Sequence, residues 1–258
     1  MQLHLRSFGS GEPLIILHGM LGMLDNWQTF GKEMSKDHLV YLIDLRNHGK
    51  SGDSAEMNYP AMAEDLKETM EAQWLYEGAI VMGHSMGGKV AMQLALDYPD
   101  LVKALVVIDI APITYPGGHE LILGALQQVD LTRIKSRQEV SDQLMESLKN
   151  PTIVNFLMKN LSRSKDGGYQ WKMNLDVIKE NYQHLLAAPT FHGDLYDGPS
   201  LFVAGKQSDY ITPENQEEIF RWFPEARLEI IEDSGHWVHA DQPKILLKIL
   251  QDFLAKSV

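Results

Sequence analysis

Four short apolar runs in the first 110 residues set the strongest limit on how this chain can fold. They are Pro13-Leu14-Ile15-Ile16-Leu17, Leu39-Val40-Tyr41-Leu42-Ile43, Ile80-Val81-Met82 and Ala104-Leu105-Val106-Val107-Ile108. Each is continuous rather than alternating and rich in branched side chains, as strands buried on both faces of a parallel sheet are. Helical patterns over 25–34, 59–77 and 88–98 separate them. Such alternation predicts βαβ units with right-handed crossovers, hence an α/β fold built on a mostly parallel, doubly wound sheet. The opening Met1–Arg6 reads as the chain's own first strand.

The rhythm breaks after Pro112. From about Ile113 to Pro189 no strand pattern is evident, and helical patterns cover 120–129, 136–148, 151–161 and 173–186. Ser136 followed by Glu139 has the spacing of a capping box, and Pro151 suits a first helical position. Sheet-like sequence resumes at Ser200-Leu201-Phe202-Val203-Ala204, followed by a helix (213–222), a strand (226–231) and a last helix (243–255). Residues 1–112 and 190–258 therefore read as one sheet core, with 113–189 inserted as a helical cap.

Composition excludes several classes of function. The chain has 258 residues and no cysteine, so disulfide scaffolds, thiolate metal sites and a cysteine nucleophile are ruled out. A net charge of −12 argues against a nucleic-acid groove and against docking on anionic membranes. The first residues lack the basic and apolar regions of a signal peptide, and no apolar run is long enough to span a bilayer. Together with the missing cysteines, this gives the expectation of a cytoplasmic protein.

Gly83-His84-Ser85-Met86-Gly87 is a G-x-S-x-G pentapeptide lying between a predicted strand and a predicted helix. That context makes Ser85 a candidate nucleophile on a sharp turn, with glycines where larger neighbours would not fit. A serine hydroxyl needs a base to take its proton. The candidate is His236, in Asp233-Ser234-Gly235-His236-Trp237, between the last predicted strand and the final helix. A carboxylate must then orient the imidazole. Asp209 follows the strand after the insertion, the usual place for the acid in the chain order Ser…Asp…His. Asp109, flanked by Ile108 and Ile110, ends the strand after the elbow helix, where a buried carboxylate needs a partner. The residues themselves leave both acids open. Donors for a tetrahedral oxyanion are expected at the amide of Met86 and in the loop His18-Gly19-Met20-Leu21-Gly22, with Met20 first and Leu21 as the alternative. His239 near His236 makes no metal motif, and no metal is expected.

Together these pieces resemble the α/β-hydrolase superfamily over nearly the whole chain. Asp44-Leu45-Arg46-Asn47-His48-Gly49-Lys50-Ser51 is similar to the Arg-Asn-His-Gly-x-Ser segment of bacterial YbfF-type esterases and their ABHD11-type relatives. His18–Gly22, Ile108-Asp109-Ile110-Ala111-Pro112 and Gly235-His236-Trp237-Val238-His239 match in the same order. The resemblance implies hydrolysis of acyl esters or thioesters through an acyl-enzyme, with no cofactor and a small-molecule substrate. It also implies Asp109 as the acid, since YbfF-type esterases place theirs after this strand and often carry Gly-x-x-Ser in the later loop, where this chain adds Asp209. Asn47 and His48 read as structural ties of their loop.

The alternatives are carbon–carbon bond hydrolysis or acyl transfer on the same scaffold, and a ligand receptor with little turnover. A serine at position 85 argues against chemistry that proceeds through an alkyl-enzyme ester on aspartate. Met145, Phe156, Met158, Trp171 and Met173 could line an acyl pocket, but each reads first as core of the cap.

Overall fold

The computed structural model of the chain describes residues 1–193 and 195–257. Its strands are β1 (Leu5–Phe8), β2 (Glu12–Leu17), β3 (His38–Ile43), β4 (Ala79–His84), β5 (Val102–Ile108), β6 (Leu161–Arg163), β7 (Tyr169–Trp171), β8 (Ser200–Gly205) and β9 (Ala226–Ile231). Seven of them form one sheet in the order β1-β3-β2-β4-β5-β8-β9, while β6 and β7 pair separately. Every pairing in the large sheet is parallel except that of β1 with β3.

The reason for the continuous apolar runs is visible in β2, β4 and β5. Leu14 and Ile16, Ile80 and Met82, and Ala104, Val106 and Ile108 enter one hydrophobic cluster. The residues between them, Ile15, Leu17, Val81, Leu105 and Val107, enter another on the opposite face. With both faces covered, every position is buried, and each large aliphatic side chain so placed contributes about 1.5–3 kcal/mol. On one side lie α2 (Tyr59–Ala72) and α3 (Met86–Asp97), contributing Leu66, Met70, Val90 and Leu94. On the other lie α1 (Gln28–Met34) and the C-terminal helix (Pro243–Ser257), contributing Phe30, Met34, Leu246 and Leu250.

Helix α2 starts where Asn58 accepts the amide of Ala61, with Pro60 in its first turn. It ends earlier than the expected Glu77, because Trp74 adopts a left-handed conformation (φ 61°) and turns the chain into β4.

The segment between β5 and β8 adds no strand to the large sheet. It carries α4 (Glu120–Gln128), α5 (Arg137–Leu148), α6 (Pro151–Met158), the β6–β7 hairpin, α7 (Leu175–Glu180) and α8 (Tyr182–Leu186). The hairpin corrects the expectation of a strand-free segment. Three-residue strands are too short to display an alternation, and the Gly167-Gly168 turn was the one readable signal. Ser136 caps α5 and Pro151 opens α6 as their positions suggested, with Asn150 as the cap of α6. The single helix expected over 173–186 is two, broken at Asn181, whose side chain bonds Ala55 O and the amide of Met57 instead. Further ties run from Tyr59 Oη to Leu185 O (2.5 Å), from Asn160 Nδ2 to Leu21 O (2.6 Å) and from Lys89 Nζ to Leu186 O (2.9 Å) and Ala187 O (2.5 Å). The chain then continues through β8, α9 (Gln216–Trp222), β9, α10 (Val238–Asp241) and α11, the C-terminal helix already described.

Candidate active site

The polar residues singled out in the sequence stand at the carboxyl ends of β2, β3, β4, β5 and β8, the edge where open α/β sheets bind ligands. Ser85 follows β4 and immediately precedes α3, with φ 52° and ψ −119°, a conformation a non-glycine residue adopts only when its surroundings hold it there. Its amide donates to Ile108 O (3.0 Å). The flanking glycines permit the turn. A Cβ on Gly83 would lie 2.1 Å from Gly87 O, and one on Gly87 would lie 2.6 Å from His18 O.

Asp109 lies just past the end of β5, fully buried and also left-handed (φ 52°). Its carboxylate accepts three hydrogen bonds. The Gly205 amide donates to Oδ1 (2.9 Å), and the Ser208 hydroxyl and His236 Nδ1 (2.7 Å) both donate to Oδ2. A buried carboxylate is tolerated when paired and hydrogen-bonded in this way. Because Nδ1 of His236 carries the donated proton, its Nε2 is the nitrogen left to act as a base. Asp209, the other candidate acid, is exposed on the loop after β8 and makes no hydrogen bond to His236. The Gly205-Lys206-Gln207-Ser208 stretch before Asp209 supplies two donors to Asp109.

Three more groups fix His236. Its carbonyl accepts from His84 Nε2 (2.8 Å), which anchors the loop to the elbow. Tyr210 stacks on the imidazole with centroids 4.1 Å apart and planes at 24°. The Tyr210 carbonyl is held by the hydroxyl of Tyr115 (2.6 Å), which also accepts the amide of Ala111 (2.9 Å). None of His84, Tyr115 and Tyr210 carried a signal beyond being polar or aromatic near a strand end.

The loop after β2 is built on two buried histidines. His18 accepts the Leu45 amide at Nε2 (3.0 Å), and His48 accepts the Leu21 amide at Nε2 (3.2 Å). Their Nδ1 atoms donate to Gly19 O (2.8 Å) and Arg46 O (2.9 Å). Burial lowers His18 to about 4 and, with the nearby His18 adding to it, His48 to about 3, so both are neutral and keep these roles. The Leu21 amide is thereby occupied by His48. The amides of Met20 and Met86 accept no such duty among the described residues, Met86 being the first residue of α3, where an amide has no intrahelical acceptor. Asn47 (φ 62°) exchanges hydrogen bonds with Ser54 through both side-chain atoms (2.9 Å each), in keeping with a structural role.

Ser85 faces two cavities. The wider, about 200 Å³, is walled by the His18–Gly22 loop, Trp27, Ile153, Phe156, His236 and Trp237. The narrower, about 30 Å³, runs between α3 and the 113–189 segment and is lined by Tyr59, Met86, Lys89, Tyr115, Tyr182 and Leu185. Met20, His119 and Tyr210 stand between them. Of the five residues named above as pocket or core, Phe156 faces the wide cavity, Met173 is buried in the core, and Met145 is 38% exposed. Met158 and Trp171 pack, partly buried, against the core. His239 lies in the wide cavity's wall, stacked on Trp27 at 4.1 Å and brought by burial down to about 3. No group of three or more histidines and carboxylates able to hold a metal occurs among the described residues.

Comparison with known proteins agrees with the fold. Residues 12–243 match the family described as alpha/beta hydrolase fold. The chain is 34% identical to esterase YbfF of Escherichia coli over 246 residues, 95% of this chain and 94% of that one. It is 39% identical to the sn-1-specific diacylglycerol lipase ABHD11 of Xenopus laevis over 255 residues, 96% of this chain and 81% of that one. Among solved structures, a marine microorganism esterase superposes with a TM-score of 0.95 at 42% identity, covering 98% of this chain and 99% of that one.

Proposed function

The chain belongs to the alpha/beta hydrolase family and is an ester-hydrolysing serine hydrolase, and on that premise we propose that Ser85, His236 and Asp109 are its catalytic triad. The observation that carries the assignment is the 2.7 Å bond from His236 Nδ1 to a buried Asp109, beside a serine held on a strained turn in the same cavity wall. His236 Nε2 takes the proton of Ser85 as its oxygen attacks the ester carbonyl. The amides of Met86 and Met20 receive the oxyanion, and the dipole of α3 points its positive end at the same place. His236 returns the proton to the leaving oxygen, and water, activated by the same imidazole, releases the acid from Ser85.

Asp109 stabilises the imidazolium formed in both half-reactions without accepting its proton. The bonds from Gly205 and Ser208 support this role by satisfying the carboxylate's remaining lone pairs. Residues 113–189 act as a cap that shapes the substrate cavity through Phe156, Ile153 and His119. The substrate is a small ester, and thioesters of similar shape suit the same oxyanion chemistry. Neither a nucleic acid nor a bilayer-spanning segment enters this reading. No helix among the described residues is long and apolar enough to cross a membrane. The cysteine-free composition fits the cytoplasm.

The test is labelling with a fluorophosphonate and hydrolysis of 4-nitrophenyl acetate, each with Ser85→Ala alongside. Loss of both label and turnover in Ser85→Ala is expected. A label retained on another residue would overturn the assignment of the nucleophile.

A further inference from the structure

We propose that the two cavities divide the ester unequally: the narrow chamber takes the acyl group, which must be short, and the wide cavity takes the leaving alcohol, which can be bulky and apolar. The proposal rests on the triad assigned above. The reacting carbonyl must sit at Ser85, which both spaces share. What separates them is His236. It lines the wide cavity and does not reach the narrow one. A general acid has to lie within hydrogen-bond reach of the oxygen it protonates. The leaving oxygen, and the alcohol attached to it, must therefore be on the His236 side. The acyl substituent is left the space beyond Met86.

That space is small, and its size limits the acyl chain. At about 30 Å³ it holds an acetyl methyl or a propionyl ethyl and little more. Tyr59 and Tyr115 wall it with hydroxyls already committed, to Leu185 O and Tyr210 O. Lys89 is also in its lining, fully buried and without a carboxylate partner among the described residues. Its ammonium bonds the last carbonyls of α8 and lies 5.4 Å from the Tyr59 ring centroid and 4.8 Å from that of Tyr115. A longer chain would have to displace packed side chains, which is unfavourable. The wide cavity has more room, with Trp27, Ile122, Ile153, Phe156, Leu157 and Trp237 in its wall beside the imidazoles of His84, His236 and His239.

The decisive experiment varies the two halves of the ester separately. In one series 1-naphthol is kept and the acyl group runs from acetyl through butyryl to octanoyl. In the other, acetyl is kept and the alcohol runs from methanol to octanol and 1-naphthol. The wild-type enzyme is expected to lose roughly 50-fold in kcat/KM from acetyl to octanoyl and to gain along the alcohol series. Leu185→Ala should flatten the acyl dependence alone, and Phe156→Ala the alcohol dependence alone. An acyl profile that is flat or rises towards octanoyl in the wild type overturns the assignment of the chambers, whatever the variants do. No turnover in either series, with Ser85 unlabelled by fluorophosphonate, overturns the triad reading beneath it. Labelled Ser85 with a reversed profile overturns the chamber assignment alone.

Discussion

The ring of Tyr210 lies flat against the imidazole of His236, 4.1 Å between centroids and 24° between planes, while the hydroxyl of Ser208, two residues earlier, bonds the acid that holds the same imidazole. One loop after β8 thus restrains two members of the site. Tyr210 touches the base and not the reacting atoms, so its effect is on position. Its phenol reaches His119 Nε2 only at 3.5 Å, too long to contribute much. Tyr210→Phe should therefore be close to wild type. Tyr210→Ala should lower kcat roughly tenfold with a smaller change in KM, because a misplaced base loses effective concentration. Steady-state kinetics of the two variants distinguish this from a purely structural role, which would leave kcat per folded enzyme unchanged.

Asp109 and Asp209 differ in every respect that matters to the chemistry, one buried under three donors and the other exposed. Asp109→Asn is expected to lower kcat about 10³–10⁴-fold by favouring the wrong imidazole tautomer, and Asp209→Asn to change it less than twofold. The comparison of kcat for the two purified variants, with circular dichroism as a check on folding, settles which is the acid. A larger loss in Asp209→Asn would reverse the assignment.

Ser208→Ala removes one of the three donors to a buried carboxylate and leaves Oδ2 with His236 only. Hydrogen bonds to buried charges are worth about 1.5–3 kcal/mol, so a loss of that order in chemical denaturation is expected, with activity reduced far less than in Asp109→Asn. A denaturation midpoint equal to wild type would show that the hydroxyl is not engaged.

Four buried imidazoles set the response to acid. His18 is lowered to about 4, His48 and His239 to about 3, and His84 well below 6.5, with burial the leading cause in each. Below pH 6.5 the unfolded chain binds protons that the folded one refuses. Their contribution is complete above that pH and is lost as the pH falls towards 4, at up to about 1.4 kcal/mol per unit for each group. Thermal melts at pH 7.5, 6.0 and 5.0 should show a Tm falling steeply over the last interval. A Tm constant down to pH 5 would contradict the neutral, buried histidine frame.

Lys89 extends the same linkage to the alkaline side. Burial lowers it to about 7, so between pH 7 and 10.5 the unfolded chain again carries the extra proton and stability rises with pH. Lys89→Met loses the bonds to Leu186 O and Ala187 O and should be destabilised at neutral pH. The gap between wild type and variant should widen from pH 7 to pH 9, measured by urea denaturation at both. A gap that narrows would mean that the lysine is not held in a desolvated place that favours its neutral form.

The linear sequence determined the α/β alternation, the doubly buried strands and the elbow, because each depends on neighbours a few residues apart. A strand covered on both faces must be apolar throughout, and Gly83 is required by atoms of Gly87 and Gly88 that Ser85's own turn brings within 3 Å. His236 was legible for the same reason, standing between the last strand and the last helix. What only the tertiary structure decided is which distant groups meet. Asp109 and Asp209 both follow strands and both look usable, but β5 and β8 are neighbours in the sheet. Their loops therefore converge so that Gly205 and Ser208 turn inward to Asp109 and Asp209 turns out. The β6–β7 hairpin, the break at Asn181 and the stacking of Tyr210 on His236 belong to the same kind. Each is fixed by contacts between segments tens to more than a hundred residues apart or by strands too short to show a period, and no local pattern records such contacts.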